Sequence, residues 1–172
     1  MSESFIKGAS SLFLCISAIK AIYASSLIFW KISTCLIVPV SYLCNAYDYK
    51  HPYLMLDYIS ITFVSASYIN NLKINGAIIF FAMYEYYNSS TIDTAKNITY
   101  AIGTAKAIYM TYYYSDAYHF YVICISSISG MSIYGIRYLL IKRNNLKYNL
   151  LLTYLMHVCA VNIMYVSSIT AI

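Results

Sequence analysis

Apolar residues in this 172-residue chain come in long runs separated by short polar breaks. About seven runs stand out, near residues 10–30, 32–47, 53–70, 74–87, 98–114, 118–141 and 148–169. Most approach the roughly 20 residues that carry an α-helix across the hydrocarbon of a bilayer. The second and fourth are short for a full crossing, so they borrow from their flanks or re-enter, and six spans is the alternative count. A membrane β-barrel would show short alternating segments with turn signals between them, which these runs do not. The pattern predicts an all-α, polytopic transmembrane bundle of about seven helices, a single integral membrane domain with minimal loops.

The breaks have local causes. Asp48, Lys50 and His51 precede Pro52, which cannot continue a helix but can start one. Asn70, Asn71 and Lys73, followed by Asn75-Gly76, predict a polar turn. The stretch from Asn88 to Asp93 is the longest polar one and supplies candidate helix N-caps. Lys142-Arg143-Asn144-Asn145 predicts a hairpin between the last two helices.

Composition strengthens the membrane reading. Apolar residues make up 61% of the chain and charged residues 10%, too little charge to cover a water-facing surface. The mean hydropathy of +0.63 suits helices in lipid. Lys142, Arg143 and Lys147 form the one basic cluster, which reads as a cytoplasmic loop and not as a nucleic-acid surface. With seven spans, Lys7, Lys50, Lys96, Lys142, Arg143 and Lys147 fall on one side, and Lys31 and Lys73 on the other. That bias predicts a cytoplasmic N-terminus and an exoplasmic or lumenal C-terminus. The sequons at Asn88 and Asn97 would then face the cytoplasm and stay unused. Lys20 interrupts the first run, which continues to Trp30, so it predicts an uncleaved helix and not a signal peptide. Cys15, Cys35, Cys44, Cys124 and Cys159 sit inside apolar runs with no C-x-x-C pair, and read as small buried hydrophobes. The 22 tyrosines, clustered at 84–87 and 112–114, suit the lipid interface.

Ionisable groups at membrane depth cost about 2.5–3.5 kcal/mol each on insertion scales, so each needs a reason. Arg137 and Glu85 fall near run ends and can snorkel. Lys20 and Lys106 lie deeper, and Lys20 can snorkel or pair with Asp57 or Glu85. Asp57 is the most informative, with Ser60 and Ser67 on its helix face. Ser41 and Asn45 are four apart in the second run, as are Thr153 and His157 in the last. Buried polar stripes in lipid turn inward and bond one another. Ser41, Asn45, Asp57, Thr153 and His157 therefore form one candidate interior cluster, in which a Ser41–His157 dyad can be drawn.

These elements resemble the CREST superfamily of seven-helix membrane hydrolases, which includes alkaline ceramidases and progestin and adiponectin receptors. That family carries Ser-x-x-x-His on its second helix, an Asp opening its third and His-x-x-x-His on its seventh. Ser41-x-x-x-Asn45, Leu56-Asp57-Tyr58 and Thr153-x-x-x-His157 match in spacing. The resemblance implies a zinc-dependent lipid amide hydrolase. Asn45 and Thr153 replace two family histidines, so it equally implies a metal-free, inactive relative whose only metal candidates are Asp57 and His157. His51 and His119 fall in predicted loops and are badly placed to substitute.

Ser126-x-x-x-Gly130 is a small-residue motif for close helix packing, within the chain or with a partner helix. The leading functional expectation is a non-enzymatic structural or accessory membrane component whose partner is the lipid bilayer, with no nucleic acid and no cofactor. The alternatives are the zinc hydrolase and a small transporter using Asp57, Lys20 and Lys106.

Overall fold

The computed structural model describes residues 3–47, 52–67, 72–88, 92–143, 145 and 147–170. These fold into α1 (Glu3–Ala9), a 3₁₀ turn (Ser10–Phe13), α2 (Leu14–Ala24), α3 (Ile28–Ala46), α4 (Tyr53–Ser67), α5 (Leu72–Asn88), α6 (Ile92–Tyr114), α7 (Ala117–Lys142) and α8 (Asn149–Thr170). No strand occurs among the described residues. α1, the turn and α2 follow without a break, so the described chain is an all-α bundle of seven rods. The predicted breaks at 48–51, 70–71 and 89–91, with His51, lie outside the described residues, as do the side chains of Glu85, Lys96 and Asn97.

Two predicted boundaries move. The first break falls at residues 25–27, before Trp30 rather than after it. Ser25 leaves the helix at φ −86° and ψ 144°, and its Oγ accepts from the Leu27 amide at 3.1 Å. A serine that bonds a nearby amide offers the backbone an alternative to helix, which hydropathy alone does not register. At the other boundary, α6 starts at Ile92, six residues before the apolar run, so it includes Asp93 and the sequon position Asn97. Pro39 is tolerated inside α3, at the expense of the bond its missing amide would give Cys35.

Among the described residues, four helical segments are long and apolar enough to cross a bilayer: Phe5–Ala24, Ile28–Ala46, Ala117–Lys142 and Asn149–Ile169. This is compatible with an integral membrane protein. The side-chain distribution fits the same solvent. Leu12, Ile16, Ile19 and Tyr23 point outward from the first rod, Tyr23 at 86% exposure, while Ser10, Ser17 and Ala21 point inward. Elsewhere Ile28, Phe80, Ile125 and Ile128 are exposed, and Ser33, Thr34, Thr62, Ser167 and Ser168 are buried. Apolar outside and hydroxyl inside is the polarity expected where lipid replaces water.

The buried hydroxyls stitch the bundle together. The Trp30 indole donates to Ser168 Oγ at 2.9 Å, tying α3 to α8, and Ser33 and Ser67 meet at 2.6 Å between α3 and α4. Apolar packing around Leu14, Trp30, Ile37, Ile61, Ile123 and Val161 fills the space between them. The Ser126–Gly130 face of α7 is used inside the chain. Ser126 is buried, and a Cβ on Gly130 would meet Cys159 Cβ of α8 at 3.3 Å.

Candidate functional site

The helices line a half-open cavity of about 450 Å³ with walls from α2, α3, α4, α6, α7 and α8. Ser41, Asn45, Asp57, Thr153 and His157 all line it. Their convergence follows from chain direction. α3 ends, α4 begins, α7 ends and α8 begins on the same side of the bundle, so residues at those termini meet. Away from that end the wall is mainly apolar, with Trp30, Ile37, Val64, Ile163 and Met164 beside the hydroxyls of Ser65, Thr104, Ser127 and Ser167.

The polar end is held together by the 3₁₀ turn, whose two serines reach the cluster. Ser10 Oγ lies 2.9 Å from Nδ1 of His157, and Ser11 Oγ donates to Ser41 Oγ at 3.3 Å. Asn45 Nδ2 donates to Ser11 Oγ at 3.1 Å and to the Ser41 carbonyl at 2.8 Å. A Ser41–His157 dyad can be drawn from the sequence; in the structure the serine on the imidazole is Ser10, and Ser41 bonds Asn45 and Ser11. Ser10 and Ser11 carry no motif, and the only signal for them is a polar pair interrupting an otherwise apolar helix. Next to the cluster, Tyr154 donates to the Ile6 carbonyl at 3.0 Å and fastens α8 to α1.

Thr153 is spent on its own helix, donating to the Asn149 carbonyl at 2.8 Å. Ser60 likewise returns to the Asp57 carbonyl at 2.8 Å, leaving the buried Asp57 carboxylate as α4's charged contribution to the wall.

Arg137 departs from the position its sequence context predicts, and Lys20 and Lys106 have partners that context does not name. Arg137 is not a snorkelling residue: it is 7% exposed, lines the cavity and donates from Nε to Asn149 Oδ1 at 2.7 Å. A side-chain acceptor just across the α7–α8 turn draws the guanidinium inward. Lys20 sits 5.1 Å above the Tyr165 ring and is held by a cation–π contact rather than by Asp57. Lys106 donates to the Ser65 and Ala66 carbonyls, at 3.2 Å to the latter, and so closes the C-terminal end of α4. His119 lies away from the cavity at the start of α7, 2.8 Å from Asp116.

A catalytic zinc takes three strong donors and a water. Asp57 and His157 offer two, while Asn45 and Thr153 turn hydrogen bonds toward backbone carbonyls. Among the described residues, no three His, Cys, Asp or Glu side chains gather as a metal site. Among the described residues, the cluster offers fewer donors than a catalytic zinc takes.

The fold and cavity thus define an all-α bundle with helices able to cross a bilayer and a polar-ended interior site. No family model, no curated protein and no solved structure matches the chain.

Proposed function

We propose that this chain is a multi-pass integral membrane protein that binds a small molecule without covalent chemistry, as an accessory component of its membrane. One observation carries the reading: five polar positions from three helices meet on one cavity of about 450 Å³, within the usual range for small-molecule sites of about 300–1,000 Å³. The motif spacing shared with the CREST superfamily supports descent from such a protein, with the histidines of a hydrolase replaced. The loop cations support a cytoplasmic N-terminus and an exoplasmic or lumenal C-terminus.

Native mass spectrometry of the detergent-purified chain tests the binding reading. A bound small molecule should persist on the wild-type protein and disappear with Ala160→Phe, which places a ring in the cavity wall. A spectrum without any adduct, or an adduct indifferent to that substitution, counts against the reading. Cysteine labelling from either side of sealed vesicles, at Ser2→Cys and Ile172→Cys, tests the sidedness.

A further inference from the structure

Resting on that reading, we propose that the cavity selects an elongated neutral lipid with two oxygens, a hydroxyl at the His157 end and a second hydroxyl or carbonyl at Ser127. Three observations converge on this chemistry.

The first is the orientation of His157. Ser10 has one hydroxyl proton, and its Oγ donates to the Lys7 carbonyl at 2.7 Å. With that proton on the Lys7 carbonyl, the 2.9 Å contact with His157 runs from Nδ1–H to Ser10 Oγ. In the neutral ring this leaves Nε2 as an acceptor on a side chain that lines the cavity. Such a nitrogen asks for an O–H or N–H donor.

The second is Ser127. It is 4% exposed and lines the cavity, and its Oγ has no hydrogen-bond partner among the described residues. Buried hydroxyls in helices ordinarily return to a carbonyl of the preceding turn, as Ser17 and Ser168 do. A buried polar atom without a partner marks a place where a water or ligand completes the bond. α7 and α8 are antiparallel and Gly130 abuts Cys159, which puts His157 level with residue 132. Ser127 is five residues from that level, an axial separation of roughly 7 Å at 1.5 Å per residue.

The third is charge. Among the described residues, the wall carries one carboxylate, Asp57, and one guanidinium, Arg137, both buried, and their formal charges cancel. A ligand with its own net charge would bury that charge uncompensated, whereas a neutral one would not. Much of the rest of the wall is hydrocarbon, from Leu14, Ile37, Ile61, Val64, Met131 and Ile163.

The test uses the full chain in detergent micelles and the emission of Trp30, the one tryptophan in the sequence and part of the cavity wall. The probes are hexadecane-1,5-diol, which carries two hydroxyls on one chain, hexadecan-1-ol and hexadecanoate. Saturable binding of the diol is expected, about fivefold tighter than the mono-ol and at least tenfold tighter than the carboxylate. Ser127→Ala should remove the diol's advantage and leave the mono-ol unchanged. His157→Phe should weaken both alcohols about fivefold; if it misfolds by circular dichroism, the near-isosteric Ser127 variant decides alone. Carboxylate binding as tight as the diol, or a diol advantage that survives Ser127→Ala, overturns this inference and leaves the binding reading standing. Failure of all three probes to bind, with no adduct in native spectra, overturns both.

Discussion

The Nδ1 nitrogen of His157 lies 2.9 Å from the hydroxyl of Ser10, across 147 positions of the chain. This bond joins the first rod to the last helix and fixes the imidazole ring. Hydrogen bonds between helices in lipid are worth about 0.6 kcal/mol on average and up to about 1.7 kcal/mol. A double-mutant cycle of Ser10→Ala and His157→Phe should therefore give a coupling free energy of about 0.6–1.7 kcal/mol. Denaturant titration of the protein in mixed micelles measures it. Strict additivity would mean that the two side chains do not hold each other.

Gly103 and Gly76 should respond oppositely to alanine. A Cβ on Gly103 would collide with the Ser65 hydroxyl and approach Ser65 Cβ to 3.1 Å, whereas a Cβ on Gly76 meets nothing within 4 Å. The hydroxyl can rotate away, but the Ser65 Cβ cannot. Gly103→Ala should cost about 1–3 kcal/mol by overpacking, and Gly76→Ala should gain up to about 1 kcal/mol of helix propensity. Restoration of Gly103→Ala by Ser65→Gly, read as a recovered melting temperature, would locate the clash.

Lys106 closes a helix end that lies within the bundle. Its ammonium donates to two carbonyls of the last turn of α4, where the helix dipole is negative. Lys106→Met keeps the stem and removes the charge and the donors. The expected loss is about 1–2 kcal/mol, with faster amide exchange in the last turn of α4. Equal exchange in both proteins would show that the carbonyls need no cation.

Asp116 gives α7 a pH-dependent start. Its carboxylate accepts from the His119 amide at 2.9 Å, and this bond, with the nearby His119 ring, holds its pKa below the usual carboxylate value. A carboxyl depressed in the folded state contributes stability that is present above its unfolded pKa, about 3.9, and is lost as pH falls through the lower folded value. The start of α7 should fray in that acid window. Asp116→Asn retains a capping oxygen without titrating, so it should flatten the acid dependence of helical content followed by circular dichroism.

The helices were legible because each apolar run is longer than any strand needs, and the cluster positions because Ser41 and Asn45, and Thr153 and His157, are four apart on one face while Asp57 is an ionisable group inside an apolar run. What lay beyond reach depended on partners distant in sequence. Nothing local to Arg137 announces Asn149 as its acceptor, nor does Lys20 point to Tyr165. Ser10 and Ser11 look like ordinary helix residues until the last helix arrives beside them. The helix break at residues 25–27 was hidden because a serine pair scarcely lowers the hydropathy of its surroundings.

Many interior hydroxyls are already satisfied by their own helix: Ser17 by Leu14, Thr34 by Trp30, Thr62 by Tyr58 and Ser168 by Met164. A segment whose polar atoms close on its own backbone requires no neighbour to enter hydrocarbon. Such rods satisfy much of their own polarity before they pack, whereas Ser10, Ser11 and Asn45 supply contacts that exist only once the correct neighbours have met.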